Sequence, residues 1–162
     1  MWVRTAGERD LAEINALLVT TWHDTYDPIY GVEKVTEITD AWHSVAVLKP
    51  RLTQPNSEFV VVDTGERICA VAFASSADGR LIHLHQLYVL PDAQGKGAGG
   101  LLMDEIIDSF PEAQRVRLEV EETNAQAIAF YERKGFVEIG RTANCGEDDS
   151  GLPALILERT LG

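Results

Sequence analysis

The chain is short of cysteine, of positive charge and of long apolar runs, and each shortage closes off a class of protein. Two cysteines in 162 residues, Cys69 and Cys145, cannot staple a small disulfide framework, and Cys69 lies in an apolar run where it reads as a small core residue. A cytoplasmic address is the expectation. Lys and Arg number 14 against 26 Asp and Glu, a formal charge of −12. That charge repels a phosphate backbone and argues against nucleic acid as a partner. Solubility alone accounts for it, although it leaves room for a cationic small molecule. No run approaches the ~20 apolar residues of a membrane span. Met1 leads straight into Trp2-Val3-Arg4 without a stretch of signal-peptide length, so neither membrane insertion nor secretion is expected. Repeats are missing too: Trp22-His23 and Trp42-His43 recur without matching flanks. What is present is the make-up of one folded domain over residues 1–162, with 45% hydrophobic and 25% charged residues and enough length for a real core.

A short strand is expected at Trp2 to Arg4. Thr5-Ala6-Gly7-Glu8 then has capping-box spacing, and Leu11, Ile14, Leu17, Leu18 and Thr21-Trp22 follow at helical intervals. Residues 23–31, rich in turn formers and aromatics, predict a loop, and 32–49 predicts a second amphipathic helix ended by Pro50. Phe59 to Val62, Ile68 to Ala74 and Leu81 to Leu90 read as three antiparallel strands. Gln94-Gly95-Lys96-Gly97-Ala98-Gly99-Gly100 opens a helix through about Ser109, with Leu102, Ile106 and Phe110 on its buried side. Val116 to Val120 is the next strand. Thr123-Asn124 caps a helix that contains Ile128 and Tyr131, and Gly135 suits its left-handed C′ position. Phe136 to Ile139 and Ala154 to Glu158 close the chain as strands around a mobile polar loop, 143–151, which carries Asn144, Gly146, Asp148 and Asp149.

A strand followed by a Gly-rich turn and a helix N-terminus is suited to an anion, because the first helical turn leaves unpaired N–H groups at a positive dipole end. Gly95, Gly97 and Gly100 also satisfy G-x-G-x-x-G, with Glu119 downstream as a dinucleotide unit would want. Against that reading, residues including Pro91 separate the strand from the first glycine, and the antiparallel strands before it are poor material for a doubly wound sheet. A Walker loop fails because Gly97, not Ser or Thr, follows Lys96.

The stretch from Leu87 to Gly99, LYVLPDAQGKGAG, resembles the acyl-CoA-binding core of the GNAT N-acetyltransferase family. Asn124 to Phe136, NAQAIAFYERKGF, is similar to that family's second motif, and the two stand at family-like spacing. The resemblance implies the acyl-CoA N-acyltransferase fold, an α/β architecture with a mixed, mostly antiparallel splayed sheet and helices on both faces. It implies an acetyl-CoA-dependent N-acetyltransferase working by direct attack in a ternary complex, with no metal. Gln94, Gly95, Lys96, Gly97, Ala98 and Gly99 would wrap the pyrophosphate, and Leu87, Tyr88 and Val89 would run along the pantetheine arm. Asn124 would contact that arm besides capping its helix. Tyr131 would protonate the departing thiolate, a role suited to a phenol, although a packed aromatic at helical spacing is its plainer reading.

An alkylamine must lose a proton before it attacks. His83 and His85 share a strand face with Leu87 and Val89, and the run His83 to Val89 is similar to the arylalkylamine N-acetyltransferase branch, whose paired histidines relay that proton through water. Two exposed strand histidines are the alternative, with Glu119 and Glu121 as rival bases; His23 and His43 have no comparable context. Trp22, Tyr26 and Tyr30, with Glu119, are the candidate acceptor-binding residues, since aromatics attract ammonium ions and flat rings alike. A small-molecule amine is the expected acceptor. Protein N-termini or lysines, and a non-catalytic acyl-CoA-binding or sensing module, are the rivals, and the resemblance leaves room for a homodimer through the C-terminal strands.

Overall fold

In the computed structural model the chain is described for residues 1–145 and 150–162, so Gly146, Asp148 and Asp149 of the expected polar loop lie outside the described residues. The strands are β1 (Trp2–Thr5), β2 (Ser57–Asp63), β3 (Ile68–Ser75), β4 (Leu81–Val89), β5 (Arg115–Glu121), β6 (Val137–Thr142) and β7 (Ala154–Thr160). The helices are α1 (Leu11–Tyr30), α2 (Val32–Trp42), the short α3 (Val45–Leu48), α4 (Ala98–Asp108) and α5 (Ala125–Arg133). Hydrogen bonding orders the strands β1-β2-β3-β4-β5-β7-β6. This is the mixed, mostly antiparallel architecture expected from the sequence. Two compact units emerge, one of Met1–Phe73 with Gln86–Ser109, the other of Ala74–His85 with Phe110–Gly162.

In the first unit, Leu11, Ile14, Leu17 and Leu18 recur at helical spacing along α1 and pack with Phe59 and Val61 of β2, Val71 and Phe73 of β3, and Leu48. β2 is buried on both faces, Val60 and Val62 included, and β1 joins it antiparallel with Val3 opposite Val62. Three local expectations need correction here. The capping box shifts: Thr5 ends β1, and the Asp10 carboxylate accepts the Gly7 N–H at 2.8 Å while Arg4 holds the same carboxylate at 2.8 and 3.0 Å. The loop expected at 23–31 is helix. Pro28 removes one intrahelical bond, but pairs one turn apart hold the segment: Trp22 on Tyr26 at 4.5 Å and Tyr26 on Tyr30 at 5.7 Å between ring centroids, and His23 Nδ1 to Asp27 at 2.6 Å. The turn comes at Gly31, whose φ of 87° and N–H to Asp27 at 2.9 Å end α1. Finally, the single helix expected over 32–49 breaks at His43, and Ser44 restarts it by capping α3 through the Val47 N–H.

In the second unit, the first four residues of β4 run parallel to β5, Leu81 opposite Arg115 through Leu84 opposite Leu118. β7 lies antiparallel between β5 and β6, with an irregularity in β6 between Glu138 and Gly140. Asn124 caps α5 by accepting the Ala127 N–H at 3.2 Å. Gly135 follows at φ 92°, as the sequence predicts.

Candidate functional site

β4 ends at Val89, and a 3₁₀ turn at Pro91–Ala93 leads into the glycine segment. The Gln94 side-chain amide donates to the Val89 carbonyl at 3.2 Å and ties the turn to the strand. Gly95 and Gly97 have φ of 79° and 92°, which side-chain-bearing residues rarely adopt, and a Cβ on either would meet nothing within 4 Å. The backbone therefore requires glycine while the space outside it stays open. Gly97 is the N-cap of α4 and provides no side-chain cap, and the first turn carries no acidic residue. The first amide to bond within the helix is Leu101, to the Gly97 carbonyl at 3.1 Å. The N–H groups of Ala98, Gly99 and Gly100 are the ones such a terminus leaves for a ligand. Lys96 is exposed, and the neighbouring Asp92 is engaged by Arg67 at 2.8 Å, which holds its carboxyl below the usual range. The residues fit an anion such as the pyrophosphate of an acyl-CoA. Leu87, Tyr88 and Val89 are half-buried.

In the second unit, Ile82 and Leu84 point inward and His83 and His85 outward, so β4 alternates as expected there. The two imidazoles stack with centroids 6.2 Å apart, and His85 Nε2 lies 2.7 Å from the Ser75 hydroxyl. Tyr131 is buried on α5 between Phe130 and Phe136, at 5.3 and 5.5 Å between centroids. Burial pushes its phenol well above the ordinary value and keeps the proton on oxygen. Glu119 is exposed and Glu121 buried. Cys145 faces both, and burial first, then their charges, pushes its thiol up and makes it a poor nucleophile.

The first unit does bring Trp22, Tyr26 and Tyr30 together, as one column on α1, with Trp22 and Tyr26 buried. Beside Tyr30, at the junction of α1 and α2, an open depression of about 470 Å³ is lined by Val32, Glu33, Lys34 and Glu37. The column continues into residues that sequence reasoning missed. His43 is 2% exposed and meets the rings of Trp22, Trp42 and Tyr88 at 5.5, 6.3 and 6.4 Å. Its Nδ1 lies 3.4 Å from the Gln86 amide nitrogen, and the Gln86 oxygen accepts from Arg51 at 2.7 Å. Burial first, and the Arg51 charge second, lower the His43 pKa to about 4. A signal was available, since Val35, Thr39 and His43 fall at i, i+4 and i+8, the buried stripe of α2.

A strand running into an open glycine turn and an uncapped helix, within this strand order, defines the class: an α/β acyltransferase fold whose α4 N-terminus would suit an anion. The chain belongs to the acetyltransferase (GNAT) family, whose model matches residues 16–136, and is an N-acetyltransferase. A Mycobacterium tuberculosis protein described as an uncharacterized N-acetyltransferase is 30% identical over 129 residues, covering 78% of this chain and 83% of its own. The Escherichia coli peptidyl-lysine N-acetyltransferase YjaB is 35% identical over 75 residues, 46% of this chain and 47% of its own. Among solved structures, the PaiA N-acetyltransferase of Thermoplasma acidophilum, in complex with coenzyme A, shares the fold at a TM-score of 0.83, with 21% identity over 98% of both chains. Among the described residues no helix is long and apolar enough to cross a membrane, and no cluster of His, Cys, Asp and Glu could hold a metal ion.

Proposed function

We propose that this N-acetyltransferase takes its acetyl group from acetyl-CoA and passes it to the primary amine of a small molecule. One observation carries the co-substrate: left-handed Gly95 and Gly97 open onto free space in front of an α4 N-terminus with no side-chain cap. Backbone N–H groups from Gln94 to Gly99 bind the pyrophosphate, with Lys96 adding charge, and the main chain of Leu87, Tyr88 and Val89 guides the pantetheine arm. Asn124, already the cap of α5, contributes to the same arm. The bound thioester supplies the activated acetyl group. His83 or His85 accepts the proton of the amine through water, which exposure on one strand face permits. Tyr131 gives its proton to the thiolate that leaves, and burial supports that role by holding the phenol protonated until then. Trp22, Tyr26, Tyr30 and Glu119 select the acceptor. On this reading the enzyme works in the cytoplasm, which the two free thiols support.

The likeness to a relative named a peptidyl-lysine N-acetyltransferase favours a second reading, in which the acceptor is a protein lysine. Calorimetric titration with acetyl-CoA tests the common part. Wild type should bind and Gly97→Glu should not, because a carboxylate then faces the anion from a backbone of φ 92°. A folded wild type that binds no acetyl-CoA overturns the assignment. Acetylation of lysine peptides in preference to free amines would favour the second reading.

A further inference from the structure

Trp22 and His43 lie in one aromatic cluster, both 2% exposed, and both keep a nitrogen, Trp22 Nε1 and His43 Nε2, with no hydrogen-bond partner among the described residues. Neighbouring contacts decide which of these atoms carry protons. Arg51 has only hydrogens to offer, so the Gln86 atom that accepts from it at 2.7 Å is the amide oxygen, and the Gln86 NH₂ faces His43. The NH₂ can only donate, so His43 Nδ1 accepts it at 3.4 Å, and in the neutral ring the proton sits on Nε2. Burial and the Arg51 cation keep the ring neutral at physiological pH. The indole of Trp22 is a donor always. The cluster therefore holds two buried N–H donors for which no described residue supplies an acceptor. Native interiors seldom leave such groups unmet unless a ligand or an ordered water completes them.

We propose that these donors read an oxygen of the acceptor substrate, and that the substrate is a primary amine that also bears a carbonyl or carboxylate oxygen. The proposal rests on the small-molecule reading above and deepens it. Three features favour an oxygen with negative character: both waiting groups donate, neither can accept, and the Arg51 guanidinium raises the potential at His43. Trp42 and Tyr88, the half-buried rings of the cluster, are its members in contact with solvent. A plain alkylamine would leave both donors unpaired, and a site built on buried polar groups rejects an analogue that lacks their partner.

Phenethylamine, phenylalaninol and phenylalaninamide share an aromatic amine skeleton and differ in the oxygen they carry. Each is titrated into ¹⁵N-labelled wild type saturated with acetyl-CoA's product, coenzyme A, and the Trp22 indole resonance is followed, assigned by elimination from the losses in Trp2→Phe and Trp42→Phe, since the chain has three tryptophans. Phenylalaninamide should shift that resonance downfield and bind about tenfold more tightly than phenethylamine, with phenylalaninol between. In Trp22→Phe the preference should collapse toward unity, and the wild-type resonance serves even where the variant fails to fold. Equal responses, or none from any of the three, overturn the proposal. An indole proton already hydrogen-bonded in the free protein and unmoved by every amine means that water alone completes the donors, and overturns it too. Calorimetry with acetyl-CoA keeps the two readings apart: binding without amine discrimination sinks only this inference, whereas no binding sinks the proposed function first.

Discussion

The first compact unit buries a histidine for which the second has no counterpart, since the second leaves a pair of them open. In the first, His43 is wrapped by Trp22, Trp42 and Tyr88 and is 2% exposed, so its proton inventory is frozen. In the second, His83 and His85 stand outward from β4 with Ser75 beside them, open to water. Exposure permits proton exchange and burial permits a fixed hydrogen bond, so the same side chain suits a base in one setting and a recognition group in the other. The second unit nevertheless buries other titratable groups, Tyr131 and Glu121 among them. The comparison breaks most visibly there.

The largest effect should come from Tyr131→Phe, which keeps the packing against Phe130 and Phe136 and removes only the proton donor. With the acid role in force, kcat should fall about 100-fold while the acetyl-CoA dissociation constant stays put. Steady-state kinetics beside calorimetry separates the two quantities. Full activity in the variant would leave Tyr131 a packing residue.

Next comes the cost of protonating His43. Its folded pKa of about 4 lies below the unfolded value of 6.5, so the unfolded chain binds the proton first as pH falls. Stability that is complete above pH 6.5 is lost progressively down to pH 4, by about 3 kcal/mol. Asp10 and Asp63 have lowered values, so their losses come at the acid end of that window or below it. Urea midpoints at pH 7 and about 4.5 should converge in His43→Leu relative to wild type. An unchanged pH slope in that variant would show that the ring is not held neutral by burial.

The exposed pair should respond in activity and not in stability. Replacing His83 and His85 together by Gln should lower kcat/KM about tenfold near neutrality, since a base acting through water sits at or below the low end of general-base contributions. The acidic limb of the pH–rate profile, where a base is lost by protonation, should flatten or move. The unfolding free energy from urea melts should change by no more than about 0.5 kcal/mol, as for exposed side chains generally. A limb unchanged in the double variant would move the base to Glu119, Glu121 or solvent.

Much of this was legible in the sequence because it depends on neighbours along the chain. The Gly95–Gly97 turn, the Asn124 cap and the Gly135 terminus are local backbone requirements, and the His83/His85 face follows from strand alternation. Where reading failed, distance or competition decided. Pro28 and a run of turn formers argued for a loop, but two aromatic contacts and the His23–Asp27 hydrogen bond, each one turn apart, held the helix to Gly31. Asp10 displaced the expected capping box because Arg4 on β1 was there to neutralise it. His43 was set aside because its meaning comes from Gln86, far along the chain.

The smallest effect separates two ion pairs on one turn, residues 8–10. Lys49 meets Glu8 at 3.1 Å, with both side chains more than half exposed. Arg4 grips Asp10 with two bonds and Asp63 with a third, and the Asp10 side chain is only 7% exposed. Water and salt screen the first pair, so Lys49→Ala should change stability by less than about 0.5 kcal/mol. Arg4→Ala leaves a buried carboxylate with only the Gly7 amide to satisfy it, and should cost about 1–2 kcal/mol. Adding Asp10→Asn to Arg4→Ala should return part of that loss, because the stranded charge, rather than the missing contact, dominates the cost. If Lys49→Ala proved as damaging as Arg4→Ala, burial would not be what sets the worth of an ion pair on this turn.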